Sequence, residues 1–189
     1  MAYDIYTMNG IVLDVYNHKE WDKKFVFFSK EFGIINIVGI GLQRPKSKLR
    51  SYITRFCNIS VDVVHGKTGY RLVRAVSNNQ GFFLYKKEAY FILNKTTKLI
   101  QELLPIGAPH INSFLLFVSL SNYLENNIVL DSNSNKIFYK NALNLLSALG
   151  YRKEAKLVDE TVDYNENNLI KEYVTILSEN GLANVIFNP

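Results

Sequence analysis

The sequence predicts an α+β protein in two parts, a small five-stranded barrel over residues 1–80 followed by an all-helical domain over residues 81–189. Three observations carry this reading. Up to Gln80 the apolar residues come in short β-branched or alternating runs, divided by glycine-bearing turns. After "SNNQG" the apolar spacing changes to three and four residues, the period of a helix. The charge divides at the same place: residues 1–80 hold 12 Lys/Arg against 6 Asp/Glu, and residues 81–189 hold 10 against 11.

The strands follow in order. "IVLDVY" (residues 11–16) and "KFVFFS" (24–29) are short and rich in β-branched or aromatic residues. The turn "KEFG" ends at Gly33, a residue free to take positive φ. "IINIVGIGL" (34–42) is the third strand, and Gly39 and Gly41 within it suggest a bulge or a coil of the kind small barrels need. In "CNISVDVV" (57–64), Cys57, Ile59, Val61 and Val63 alternate with Asn58, Ser60 and Asp62, which predicts one buried and one wet face. "HGKTG" is a turn, and "YRLVRAV" (70–76) pairs back as a hairpin. Five strands in so short a stretch suit the oligonucleotide-binding (OB) fold.

Four helices are expected after the boundary, which the composition places near residues 78–81. The first spans 82–104 with Leu84, Tyr90, Phe91, Leu93, Leu99 and Leu103 as its stripe, and Pro105 and Pro109 break it. The second covers 110–125. "DSNSN" offers caps to a third over 136–149, whose apolar face is Ile137, Phe138, Leu145, Leu146 and Leu149, with Gly150 as its C′ residue. The fourth runs over 167–180 with Leu169, Tyr173, Ile176 and Leu177 on one side and Gly181 at its end.

A hydrophobic content of 48% and a charged content of 21% in 189 residues exclude a disordered chain. One cysteine allows no intrachain disulfide, which fits a reducing cytoplasm. "MAYDIYTMNG" lacks the basic and apolar regions of a signal peptide, and no apolar run has the length of a membrane span.

Catalytic and metal chemistry find little support. His18, His65 and His110 lie far apart and there is a single Cys, so no metal site is expected. Cys57 falls on the apolar side of its strand and reads as a small hydrophobe. Gly66-Lys67-Thr68 resembles part of a phosphate loop, but Val61 stands where the leading glycine belongs, and a strand rather than a helix follows. Asp159, Glu160, Asp163 and Glu166 read as a solvated helix start. No catalytic residue and no cofactor is expected.

One stretch stands out. "GLQRPKSKLRSYITRF" (41–56) holds Arg44, Lys46, Lys48, Arg50 and Arg55 with no acid. Arg71 and Arg74 extend the charge onto a neighbouring strand, and over residues 40–74 eight basic residues face one acid, Asp62. Tyr52, Phe56 and Tyr70 are interleaved. Cations that neutralise phosphates release counterions, and aromatic rings stack on the bases of single strands. The seven cations are therefore candidate DNA contacts, and the three aromatics are candidate stacking partners. The plain alternatives are a solubilising surface run, or partners for the acidic C-terminal region.

Several residues in order resemble the RecO family of bacterial recombination mediators. In "FFSKEFGIINIVGIGLQRPKSKLR", Ser29 ends a strand, Glu31 and Gly33 make an acidic-x-Gly turn, Gly41 ends the next strand, and Arg44 and Ser47 open a basic run. "YITRFCNISVDVVHGKTGYRLVRA" resembles the family's next hairpin, and "FYKNALNLLSALGY" its helix ending in Leu-Gly-Tyr. The resemblance covers residues 2–151. It implies an OB barrel and a helical C-terminal domain. It also implies a non-enzymatic protein of the bacterial cytoplasm and nucleoid that binds single- and double-stranded DNA and anneals strands. The implied partners are RecR and single-stranded DNA-binding protein, with Arg44, Lys46, Lys48 and Arg50 as the matching basic run. Many members carry a four-cysteine zinc module after that helix. Here "YRKEAKLVDETVDYNENN" follows, so a zinc-free form is expected. A protein-interaction module with little nucleic-acid affinity, and an RNA-binding barrel, are the alternative readings.

Overall fold

The computed structural model describes residues 4–77, 86–127, 131–151, 165–182 and 184. The chain forms two compact units, one of Met1–Phe83 with Leu104–Phe114, the other of Leu84–Leu103 with Leu115–Pro189.

The first unit is the expected barrel. Its strands are β1 (Ile5–Asn17), β2 (Lys23–Ser29), β3 (Gly33–Gly39), β4 (Asn58–Gly66) and β5 (Gly69–Ser77). They close in the order β1-β2-β3-β5-β4, with every pairing antiparallel except β3 with β5. This is a five-stranded OB barrel. Its interior is lined by Met8, Val12, Phe25, Phe27, Ile35, Ile37, Ile59, Val61, Val63, Leu72 and Ala75. The alternation read in the fourth strand holds, with Ile59, Val61 and Val63 fully buried.

β1 begins six residues before the expected start. Residues 5–11 pair with β4 and residues 10–17 with β2, so one strand serves both halves of the barrel. A register shift between Val12 and Asp14 bends it between those tasks. Gly10 sits where the halves overlap, and a Cβ there would lie 2.2 Å from the Phe28 carbonyl oxygen. The early part of β1 escaped the reading because Ile5, Tyr6 and Thr7 are exposed and the inward positions are only Met8 and Gly10.

β3 stops at Gly39 rather than continuing to Leu42. Gly39 and Gly41 do not make the bulge that the sequence suggests, and β3 stays in register with β2 to its end. Gly41 has φ +66° and turns the chain, and Leu42 folds its side chain back over Gly39. A side chain at Gly39 would meet Leu42 Cδ1 at 2.1 Å. Gly33 takes the positive φ that its turn suggested.

Leu104–Phe114 packs with the barrel although it comes late in the chain. The Gly107 N–H donates to the Ile34 carbonyl, and Phe114 sets its ring edge-on to Phe28 at 5.4 Å. Ile34 and Phe28 point away from the barrel interior, yet both are buried. This segment therefore covers one end of the β2–β3 outer face.

The second unit contains α1 (Lys87–Leu103), most of α2 (Ile111–Asn126), α3 (Asp131–Ala148) and α4 (Glu166–Glu179). α3 packs against both α1 and α4. α4 buries Leu169, Tyr173, Ile176 and Leu177, the stripe its spacing predicted. Asn165 caps it by accepting the Asn167 N–H. Gly150 and Gly181 end α3 and α4 with positive φ, and the amides of Tyr151 and Leu182 reach back to Leu146 and Leu177.

α3 starts at Asp131, so "DSNSN" lies inside the helix instead of capping it, and Ser134 is buried. α1 buries Ala89, Ile92, Leu93, Thr96, Thr97, Leu99 and Ile100. Tyr90 and Phe91 are 40% and 42% exposed, contrary to the stripe expected. Two large aromatics outweighed an alanine and two threonines in the pattern, although small residues suit a close helix contact. The expected boundary at 78–81, Leu84, and the acids Asp159, Glu160 and Asp163 lie outside the described residues. Among the described residues no helix is long and apolar enough to cross a membrane.

Candidate nucleic-acid interface

The basic stretch is the connection between β3 and β4. It forms a chain of tight turns, with N–H to carbonyl bonds from Arg44 to Gly41, Ser47 to Arg44, Arg50 to Ser47 and Tyr52 to Leu49. The turns repeat every three residues, so the chain stays compact without becoming a regular helix. Pro45 is compatible with this because none of these bonds needs its nitrogen.

Apolar side chains fix the connection to the end of the barrel. Leu42 and Ile53 are 1% exposed and belong to the barrel core, and Leu49 and Tyr52 pack against it. Between these anchors Arg44, Lys46, Lys48 and Arg50 are all exposed. The stretch is a pad that is apolar beneath and cationic above.

Two sequence candidates have structural roles instead. Arg55 lays its guanidinium side-on to Asp14, with Nε to Oδ1 and Nη2 to Oδ2 both at 2.7 Å. Burial works to raise the Asp14 pKa. The bonds from Arg55, the Tyr16 hydroxyl and the Val15 N–H outweigh it and hold the carboxyl below its ordinary value. The Tyr16 phenol is pushed up by burial, then by its bond to that carboxylate. Arg55 thus ties the pad to β1. Phe56 is 2% exposed, so its ring faces are covered and offer nothing to a base, which corrects the stacking role expected of it. Its φ is +66°, unusual for a bulky residue. The Phe56 N–H donates to the Val12 carbonyl and the Val12 N–H to the Cys57 carbonyl, and this pair of bonds holds the backbone there. Cys57 is half-buried beside the core, its thiol sharing a hydrogen bond with the Thr54 hydroxyl.

Tyr52 and Tyr70 are half-buried, and Tyr70 sits edge-on to Phe32 and His65. Arg71 and Arg74 are exposed on β5. Arg74 lies directly across from Asp62, whose carboxylate accepts a bond from Thr7. Lys67 and Thr68 are the tip of the β4–β5 hairpin, between the paired residues Gly66 and Gly69. Among the described residues no group of three His, Cys, Asp or Glu is placed to hold a metal.

The fold also brings forward residues that the sequence reading passed over. Tyr16 pairs with Lys24, Lys24 with Val38, and Val38 with Arg71. Directly paired residues share a face, so these four form one outward row across β1, β2, β3 and β5. Tyr16 is 47% exposed and Arg71 is exposed. With strands about 4.8 Å apart, Lys24 and Arg71 stand roughly 10 Å from each other. This row lies on the β2–β3 face, the surface by which OB folds hold oligonucleotides. The β1–β2 loop joins it to the pad. The Asp22 carboxylate accepts the Gly41 N–H at 2.8 Å, the Trp21 carbonyl accepts the Gln43 N–H at 2.9 Å, and the Gln43 side chain reaches Asn17 and Asp22. The signal in the sequence was "NHKEWDKK", a lone tryptophan in a lysine-bearing turn.

Residues 1–80 match the family described as "Recombination protein O N terminal". The barrel is a RecO N-terminal domain. The match spans β1 to β5 and includes the pad and the outward row. At the level of the family, RecO places this domain in recombination and repair, with DNA binding as part of that role. No curated protein matches the chain.

Proposed function

We propose that the chain is a non-enzymatic recombination mediator whose RecO barrel binds single- and double-stranded DNA through the pad between β3 and β4. The observation that carries this is the pad's two-sided build: Leu42 and Ile53 anchored in the core, with Arg44, Lys46, Lys48 and Arg50 in solvent between them. A run serving solubility alone needs no such footing. Arg71 and Lys24 continue the positive surface along the outward row, and Arg55 supports it from below. In this reading the protein works in the cytoplasm beside the nucleoid, anneals complementary strands, and loads recombinase with a RecR-type partner and single-stranded DNA-binding protein.

The test is DNA binding by the triple variant Lys46→Ala, Lys48→Ala, Arg50→Ala, followed by anisotropy of a labelled oligonucleotide. The three side chains are exposed, so the fold should survive. The expected outcome is weaker binding to single strands and duplex alike, because phosphate contacts carry no sequence or base information. Unchanged affinity would remove the pad from the interface.

A further inference from the structure

We propose that Trp21 is a base-stacking platform, held at the edge of the cationic pad, that makes the barrel favour single-stranded over duplex DNA. The inference rests on the reading of the barrel as a DNA-binding domain and adds to it the form of DNA preferred.

Trp21 is 43% exposed, although tryptophan has a large apolar surface that ordinarily drives it inward. Its backbone is not free. Its carbonyl accepts the Gln43 N–H, and the next residue, Asp22, receives the Gly41 N–H on its carboxylate and the Gln43 side-chain amide on its carbonyl. Within the loop, the Lys19 and His18 amides both turn back to the Asp22 carbonyl. The indole is therefore carried on a pinned turn one residue from the start of the cation run at Arg44, counted through its partner Gln43. Lys19 flanks it on one side, Lys23 and Lys24 on the other, and Glu20 is the one opposing charge left exposed beside it.

An exposed ring among phosphate-binding cations suits a strand whose bases are unstacked and free to turn toward the protein. A duplex keeps its bases stacked on one another and offers the same cations only its backbone. The other aromatic candidates serve this less well. Phe56 is buried, and Tyr52 and Tyr70 are half-covered by the core. Tyr16 is exposed on the outward row, but its hydroxyl is bonded to Asp14. That bond gives it a fixed orientation, secondary to Trp21 in ring area.

Trp21 is the single tryptophan of the chain, so its fluorescence reports this position alone. The intact protein is titrated with a dT oligonucleotide and with a hairpin duplex of equal phosphate count, reading fluorescence and the anisotropy of a label on the DNA together. The expected result is quenching by the dT oligonucleotide that follows the same isotherm as the anisotropy, with far less quenching by the duplex. Trp21→Ala should lower the ratio of single-strand to duplex affinity roughly tenfold, and Trp21→Phe should restore part of it. If the dT oligonucleotide binds by anisotropy while the fluorescence stays unmoved and Trp21→Ala keeps the ratio, the platform is overturned and the DNA-binding reading stands. If neither DNA binds at low salt, the reading beneath it fails as well.

Discussion

Arg55 and Phe56 are neighbours in a stretch of cations and aromatics, and both hold the fold, Arg55 by an ion pair and Phe56 by burial. The Arg55 guanidinium takes both oxygens of Asp14 at a site where the two side chains are 33% and 14% exposed. Arg55→Ala should lower stability by roughly 1–2 kcal/mol in urea unfolding, between the values for exposed and buried charged pairs. The sign of its pH dependence follows from Asp14. Its carboxyl is held below the ordinary value of 3.8, so the stabilisation is complete above that value and is lost as the pH falls through the lower folded one. The gap between wild type and Arg55→Ala should thus be constant near neutrality and close under strong acid. A gap that widens in acid would contradict this. Phe56→Ala should cost about 3–5 kcal/mol, a large share of a small domain's stability, because it empties a buried site. A variant with unchanged thermal stability would mean the ring is not the structural element its burial implies.

Among the elements, the turn between β2 and β3 joins two distant parts of the chain. Gly33 has φ +64°, and a Cβ there would lie 2.0 Å from the Ala108 carbonyl oxygen. Only glycine meets both demands, the conformation and the close approach. Gly33→Ala should push the Leu104–Phe114 segment off the β2–β3 face. Hydrogen exchange should show it as lost protection at the Gly107 amide, which donates to Ile34, before the barrel itself opens. Equal protection in the variant would mean the segment tolerates the side chain. The pad behaves as an element in its own right. Its cations were legible because they are contiguous in sequence. Its footing was not, because the chain there forms turns rather than a helix or a strand, so no regular period applies and Leu42, Leu49 and Ile53 are recognised as anchors only where they land.

At the scale of the whole molecule, the charge is +5 for 189 residues, but the acids lie mainly outside the first unit. Binding should depend on local contacts rather than on net charge. With Arg44, Lys46, Lys48, Arg50 and Arg71 as about five phosphate contacts, log K for a single strand should fall against log salt with a slope of roughly −3 to −4. The triple pad variant should bring this nearer −1 to −2. A slope that the variant leaves unchanged would place the contacts elsewhere on the chain.

The sequence by itself determined the order of strands and then helices, the barrel class, the buried face of β4 and the stripe of α4, because each is written in a local period. It also marked Gly33, Gly150 and Gly181 as turning points, since positive φ is a property of the residue. It could not divide the basic stretch into Arg55, which is bound to Asp14 41 positions earlier, and the four cations that remain exposed. It could not see that Tyr16, Lys24, Val38 and Arg71 share a row, or that Trp21 is pinned beside Gln43. Those facts depend on strand register and barrel closure, which bring residues together across long stretches of chain. The composition of a binding surface is local, whereas its arrangement is tertiary.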